Sequence, residues 1–218
     1  MNMEDLIELT FTAFIKDWQL GKEVVYPIIR TKKENEEEYR DWPSSAFLDL
    51  KVYYILRLTL SDFMMATVNV TNDILEGWGI TKAELHKTAM HNMAKDGYEI
   101  REMMSVCRGI LGVEEDNDMM DLKADMYVLT NKSKKEGASG ILHLQLIKEF
   151  AEKRGMDLYI LPSSIHETIL IPFNKKICPE MLKAMVVEIN ESQVEEKEQL
   201  GNSIYAFSRK SGKIYIAL

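Results

Sequence analysis

The order of apolar and polar positions along the chain predicts a helix followed by a short strand at the N-terminus. Residues 3–18 carry apolar side chains at roughly helical spacing, which predicts an amphipathic helix that ends near Gly21. Residues 24–29 are apolar enough for a strand. Because Pro27 has no backbone N–H, we expect this strand at a sheet edge or as an irregular piece.

A composition shift near residue 45 predicts the division of the chain. Residues 31–41 are highly charged and are typical of a solvated loop, and a proline and two serines follow. The sequence therefore predicts an N-terminal helix and charged linker over 1–45 and a main domain over 46–218.

The first part of this main domain is open to two interpretations. Apolar residues dominate 48–60 and 63–70, and Ser61-Asp62 between them suits a hairpin turn. The same residues are dense enough for one long helix over 46–58. Further along, Thr81-Lys82-Ala83-Glu84 has the hydroxyl and carboxylate spacing of a helix start and predicts a helix to about Lys95. Another helix is expected over 98–111.

The second half predicts a strand, a helix and a strand in succession. The strand at 126–130 is followed by a helix over about 138–154 and a strand over 157–161. If the two strands are parallel, Asn131 and Ser163 leave from the same sheet edge, where ligands bind in sheets of this type.

The C-terminal part predicts further elements of both kinds. A strand is expected at 167–172, a helix at about 178–191, and a hairpin made by 203–208 and 213–217. The predicted fold is therefore α+β or α/β, with a mixed sheet, a strand-helix-strand crossover, flanking helices and a C-terminal hairpin.

Charge and composition narrow the functional classes. The chain has 218 residues and a formal net charge of −8, which disfavours binding to nucleic acid. No segment approaches the roughly 18 consecutive apolar residues of a membrane span. The acidic N-terminus does not resemble a secretory signal, and the two cysteines match no metal or redox spacing. We therefore expect a cytoplasmic protein with free thiols and no cofactor.

Candidate chemistry concentrates in Leu161-Pro162-Ser163-Ser164-Ile165-His166-Glu167, between two apolar strands. Serine hydroxyls with a histidine base are the components of a hydrolase, with Ser163 or Ser164 attacking and His166 as base. However, neighbours in an extended segment point to opposite faces, so Glu167 is poorly placed to orient His166, and no glycine-rich oxyanion loop is present. Alternatively, the hydroxyls cap turns and the histidine holds the loop in place.

A recognition edge is the third interpretation of the same residues. The crossover would bring polar side chains from distant parts of the chain together, and a loop with three lysines precedes Gly137. The predicted ligand-binding residues are Thr130, Asn131, Lys132, Ser163, Ser164, His166, Glu167 and Asn190. No metal site is predicted, because His86 and His91 are five residues apart on a helix and face different directions.

Four further patterns in the sequence belong together: Tyr127-Val128-Leu129-Thr130-Asn131, Gly137-Ala138, residues 161–167 and Met185-Val186-Val187-Glu188-Ile189-Asn190. In combination they resemble an uncharacterised bacterial family, domain of unknown function 5688, and the likeness extends over about 46–208. This resemblance implies a bacterial domain but no reaction.

The functional hypotheses are therefore three. The first is a cytoplasmic module that binds a small molecule or a protein at the polar edge. The second is the serine-type hydrolase. The third is an oligomerisation protein that uses the terminal hairpin or residues 1–45 as its interface.

Overall fold

The chain divides into two compact units, Met1–Gly97 and Tyr98–Leu218. The computed structural model describes residues 2–31, 37–61, 64–103, 126–162, 164–174 and 177–218. The boundary expected near residue 45 falls inside the first unit, because a strand before it, Val25–Thr31, pairs with a strand after it, Leu50–Thr59.

Four helices of the first unit begin and end at residues with clear capping roles. They are α1 (Met3–Lys16), α2 (Trp18–Gly21), α3 (Asn72–Trp78) and α4 (Lys82–Lys95). The predicted start of α4 is confirmed, since Thr81 Oγ1 accepts a hydrogen bond from the amide of Glu84 at 3.2 Å. Helix α3 was not predicted from the sequence; Thr71 caps it at one end and Gly79, with φ 66°, at the other.

The sheet of the first unit is built around one long strand. Its strands are β1 (Val25–Thr31), β2 (Ser45–Phe47), β3 (Leu50–Thr59) and β4 (Met65–Asn69). β3 pairs antiparallel with the other three, which leaves β1 and its Pro27 at an edge, as predicted. The alternative of a helix over 46–58 is wrong. Five consecutive residues of β3, from Val52 to Leu56, are buried, as in a strand covered on both faces.

Polar contacts join β3 to α4. The guanidinium of Arg57 pairs through two nitrogens with the carboxylate of Asp96, and it stacks on the ring of Tyr26. The hydroxyl of the fully buried Tyr54 lies 2.8 Å from Ser45 Oγ and 2.9 Å from Nδ1 of His86. These contacts give partners to buried polar groups whose burial would otherwise destabilise the folded state, although Nε of Arg57 has none among the described residues.

The second unit contains a six-stranded sheet. Its strands are β5 (Glu99–Glu102), β6 (Tyr127–Thr130), β7 (Leu158–Pro162), β8 (Thr168–Pro172), β9 (Tyr205–Ser208) and β10 (Lys213–Ile216), in the order β10-β9-β7-β8-β6-β5. Among the described residues every pairing is antiparallel, where the sequence suggested a mixed sheet. The predicted C-terminal hairpin is confirmed as β9 and β10.

The helix expected over 98–111 is wrong at its start, because Glu99–Glu102 forms strand β5 against β6. Residues 104–111 of that prediction lie outside the described residues. The helix expected at 138–154 is divided into a 3₁₀ helix, Gly137–Leu142, and α5, Leu144–Arg154. His143 separates them, and its Nδ1 accepts the Leu146 amide at 3.2 Å.

The predicted strand-helix-strand crossover is present, but its two strands are not neighbours in the sheet. β6 and β7 are each antiparallel to β8, so they run in the same direction with β8 between them. The last helix, α6 (Pro179–Gln193), places Leu182 and Val186 against the sheet face that carries Tyr159, Ile171 and Ala206. The fold is therefore α+β. Within the described residues, no helix combines the length and apolar character needed to cross a membrane.

Candidate functional site

Three loops, at residues 131–136, 164–167 and 194–204, meet at the sheet edge where β6 and β7 end and β8 begins, and we call this place the three-loop edge. The side chain of Thr130, the last residue of β6, donates a hydrogen bond to the carbonyl of His166 at 2.8 Å. The amide of Ala138 donates to the carbonyl of Ile165 at 3.1 Å. The convergence expected from the direction of the two strands is therefore present for Thr130 and His166. Ser163, also predicted there, lies outside the described residues.

The loop after β6 is held by Asn131, which is 2% exposed. Its Nδ2 donates to the carbonyl of Lys135 at 2.8 Å, and its Oδ1 accepts from Ser133 Oγ at 2.9 Å. Asn131 therefore uses its amide group inside the loop. Lys132, predicted as a ligand-binding residue, is exposed on the same loop.

The hydroxyl of Ser164 forms hydrogen bonds inside the loop between β7 and β8. It donates to Glu167 Oε1 at 2.8 Å and accepts from the backbone amide of His166 at 3.0 Å, and Ser164 is 6% exposed. This is the turn-capping role that serine commonly has. A serine nucleophile would instead donate its proton to the histidine ring.

The ring of His166 lies between two partners from different loops. Nδ1 accepts a hydrogen bond from the amide of Glu136 at 3.4 Å, and Nε2 lies 3.5 Å from Glu198 Oε1. Because Nδ1 acts as acceptor, the neutral ring carries its proton on Nε2, facing the carboxylate. The side chains of His166 and Glu198 are 32% and 31% exposed, so both remain accessible to a ligand.

Glu198 was not predicted as a site residue. It lies in a short 3₁₀ helix, Glu196–Glu198, and its carbonyl accepts the Ile165 amide at 2.9 Å. The acidic run to which it belongs is more simply explained as a solvated surface. The contact depends on tertiary structure that no periodic pattern in the sequence records.

Asn190, predicted to bind ligand, is only 3% exposed and stabilises the segment that carries Glu198. Its Nδ2 donates to the carbonyl of Gly201 at 3.0 Å and to Asn202 Oδ1 at 2.8 Å. The side chain of Gln199 in turn donates to the Asn190 carbonyl at 2.8 Å. Asn190 is therefore a buried structural residue and not an exposed ligand-binding group.

Metal ligands do not gather at this edge. Over the described part of the chain, no group of three or more histidine, cysteine, aspartate or glutamate side chains is arranged to hold a metal ion. At this edge the side chains of His166 and Glu198 are partly exposed, and the loop after β6 carries three exposed lysines, Lys132, Lys134 and Lys135.

The chain matches a protein-family model over most of its length. The model of a family described as "Family of unknown function (DUF5688)" matches residues 3–209. The match therefore includes the N-terminal segment as well as both units. No curated protein and no solved structure matches the chain.

Proposed function

The chain belongs to the DUF5688 family of unknown function, and we propose that it is a cytoplasmic module that binds a polar ligand at the three-loop edge. The recognition groups in this proposal are the imidazole of His166 and the carboxylate of Glu198. Lys132 adds an exposed cation on the loop after β6. Thr130, Asn131, Ser164 and Asn190 form the frame that holds the recognition groups.

The observation that carries the proposal is the contrast between these two sets of side chains. The frame residues Asn131, Ser164 and Asn190 are at most 6% exposed, and each bonds neighbouring protein groups. The His166 and Glu198 side chains are at least five times more exposed, at 32% and 31%. A rigid frame that presents a small polar group is the usual organisation of a binding site.

A frame of this kind gives a ligand both donor and acceptor groups. Nε2–H of His166 can donate, and the carboxylate of Glu198 can accept. Because the loops are joined by backbone hydrogen bonds, little ordering is needed when a ligand binds, which favours affinity.

The hydrolase hypothesis receives less support from the same contacts. The proton of Ser164 is directed to Glu167, and its hydroxyl is almost fully covered. A substrate carbonyl would have to reach an atom that the loop itself encloses. The acceptor nitrogen of His166 already faces the Glu136 amide.

A thermal-shift screen of polar small molecules tests the proposal. A ligand of the edge raises the Tm of the parent protein by mass action. We expect the shift to be lost in His166→Ala and weakened in Glu198→Gln. His91→Ala and Glu191→Gln, which change exposed residues elsewhere, are matched controls and should keep it.

Stabilising compounds that act equally on the parent and on His166→Ala would place binding elsewhere and contradict the proposal. A serine-directed covalent probe separates it from the hydrolase alternative. Labelling that disappears in His166→Ala and in either Ser163→Ala or Ser164→Ala would replace the binding module with an enzyme.

A further inference from the structure

The last strand of the six-stranded sheet, β10, has an unpaired side. Among the described strands it lies at one end of the sheet and pairs with β9 alone. The amide of Ala217 donates to the carbonyl of Ile204, which directly precedes β9, at 2.7 Å. Because backbone groups alternate in direction along a strand, Ile214 and Ile216 direct their N–H and C=O groups away from β9. We call this outward side of Lys213–Ile216 the β10 edge.

The side chains along the β10 edge are accessible on both faces of the sheet. Tyr215 is 49% exposed and Ile216 is 44% exposed. Tyr215 lies opposite Ala206 of β9, and Ile216 lies opposite Tyr205. Successive residues of a strand point to opposite faces, so the exposed parts of Tyr215 and Ile216 lie on different faces. A strand added at the β10 edge would therefore make apolar contacts on both sides.

The turn that leads into β10 is basic. Residues 203–218 carry three charged side chains, all cationic and exposed, which are those of Arg209, Lys210 and Lys213. The whole chain has a formal net charge of −8, so this turn has the opposite sign. One carboxylate contacts the turn, since Asp157 Oδ1 accepts the backbone amide of Arg209 at 3.0 Å. The turn remains positive with Asp157 included, and a charge acts mainly within about 8 Å at physiological salt.

We propose that the β10 edge binds an extended acidic segment of a partner protein as an additional strand. The backbone of an extended segment offers the donors and acceptors that match the outward groups of Ile214 and Ile216. The basic turn sets the chemistry of the partner, because carboxylates complement its charge. The β10 edge lies on the flank of the sheet, two strands from β7, and the inference does not depend on the three-loop edge.

An antiparallel arrangement brings the acidic part of the segment to the turn. Antiparallel pairing is slightly the more stable kind, and every described pairing in this sheet is of that kind. A segment that runs opposite to β10 passes Ile216 first, then Ile214, and reaches Lys213 last. Directly opposed residues share a face, so a carboxylate opposite Lys213 can pair with its ammonium group. The segment therefore needs apolar residues followed by acidic ones.

Three peptides test the proposal on the whole protein. They are acetyl-Val-Thr-Val-Glu-Asp-Glu-amide, its neutral analogue acetyl-Val-Thr-Val-Gln-Asn-Gln-amide, and the acidic peptide with an N-methyl group on its second valine. Binding is followed by the NMR amide signals of Ile214 and Ile216. The acidic peptide should bind about threefold more tightly than the neutral one, from two or three exposed ion pairs. N-methylation removes the donor opposite Ile214 and should weaken binding about fivefold or more.

Two results with these peptides would overturn the proposal. Equal affinity of the acidic and the neutral peptide would show that the basic turn does not select the partner. Equal affinity of the acidic peptide and its N-methylated form, or unchanged amide signals at millimolar peptide, would show that no strand is added at the β10 edge.

Charge variants of the protein identify the cations responsible. Lys210→Gln and Lys213→Gln should each weaken binding of the acidic peptide about twofold and leave binding of the neutral peptide unchanged. The matched control is Lys153→Gln, at an exposed position of α5, which should change neither. Equal losses in Lys153→Gln and Lys213→Gln would show only general attraction between charges and would contradict the site.

A backbone variant separates a partner segment from a second copy of this chain. Ile216→Pro removes one outward N–H and leaves the pairing with β9 in place, whereas Ile216→Ala keeps the donor. Ile216→Pro should bind the acidic peptide about fivefold more weakly than Ile216→Ala, and circular dichroism checks that both fold. Sedimentation equilibrium of the parent protein alone should find a monomer. A dimer that Ile216→Pro dissociates would show that the β10 edge pairs with its own copy, which would overturn the proposal.

Discussion

Gly137 is the residue at which the backbones of the three-loop edge approach most closely. A Cβ atom at this position would overlap the hydroxyl of Thr130 and the carbonyl of His166, and would lie 3.0 Å from the amide of Asn131. The hydrogen bond from Thr130 to His166 therefore requires a glycine between them. The close packing of the three-loop edge therefore needs a residue without a side chain at position 137.

Substitution of Gly137 tests this packing. Gly137→Ala should lower the free energy of unfolding by about 1–3 kcal/mol, because backbone atoms have to move to admit the methyl group. The matched control is Gly77→Ala in α3, where no atom lies within 4 Å of the added Cβ. That variant should gain about 0.5–1 kcal/mol from helix propensity. Urea unfolding that finds both variants equally stable would contradict the packing described.

The sequence predicted part of this edge and missed the rest for a physical reason. The apolar strands β6 and β7 run in the same direction, so polar residues at their ends come together. Thr130 is the last residue of β6, and Ser164 and His166 follow β7. Whether such a side chain faces solvent or bonds the backbone is decided by tertiary contacts. For that reason Asn190 was expected at the surface, and Glu198 was not expected at all.

At the scale of elements, the apolar pattern predicted the short strands β7 and β8 although both are buried along their whole length, because polar loops limit each to about five residues. It was ambiguous for β3, whose ten-residue apolar run has no alternation and is also long enough for a helix. It was wrong for β5, a four-residue strand whose residues also suit a helix. Backbone pairing with β6, which local sequence does not encode, decides that segment.

The contact between α4 and β3 predicts a pH dependence of stability. Burial lowers the pKa of His86, whose Nδ1 faces the hydroxyl of Tyr54. The unfolded chain therefore takes up a proton before the folded protein does. Stability from this residue is complete above the unfolded pKa of about 6.5 and is lost as the pH falls below it.

Urea unfolding at about pH 7.5 and about pH 5.5 measures this effect. The parent protein should lose more stability on acidification than His86→Asn, which cannot titrate. His91→Asn, at an exposed position on the same helix, should keep the pH dependence of the parent. The same loss in His86→Asn as in the parent would show that other groups cause it.

At the scale of the whole molecule, the sequence and the structure divide the chain at different places. The charged stretch before residue 45 has the composition of a linker, but it lies between two strands, β1 and β3, that pair with each other. A loop inside a sheet and a linker between domains have the same solvated composition. Only the pairing of strands far apart in sequence distinguishes them.

The family match extends over residues 3–209 and so reaches into both units. Within the second unit, some polar side chains stabilise the fold and others are exposed to solvent. In the second unit, Asn131 belongs to the frame and His166 to the presented pair. These two roles predict different losses of stability when each side chain is replaced by alanine.

The most direct measurement is the free energy of unfolding of Asn131→Ala and His166→Ala beside the parent protein. Asn131→Ala should lose about 1–3 kcal/mol, because it leaves buried groups of the loop without partners. His166→Ala should lose less than about 1 kcal/mol, because its contacts are long and partly exposed. That result would support an imidazole kept for binding. If His166→Ala loses as much as Asn131→Ala, the imidazole is a structural clamp and the proposed recognition edge is wrong.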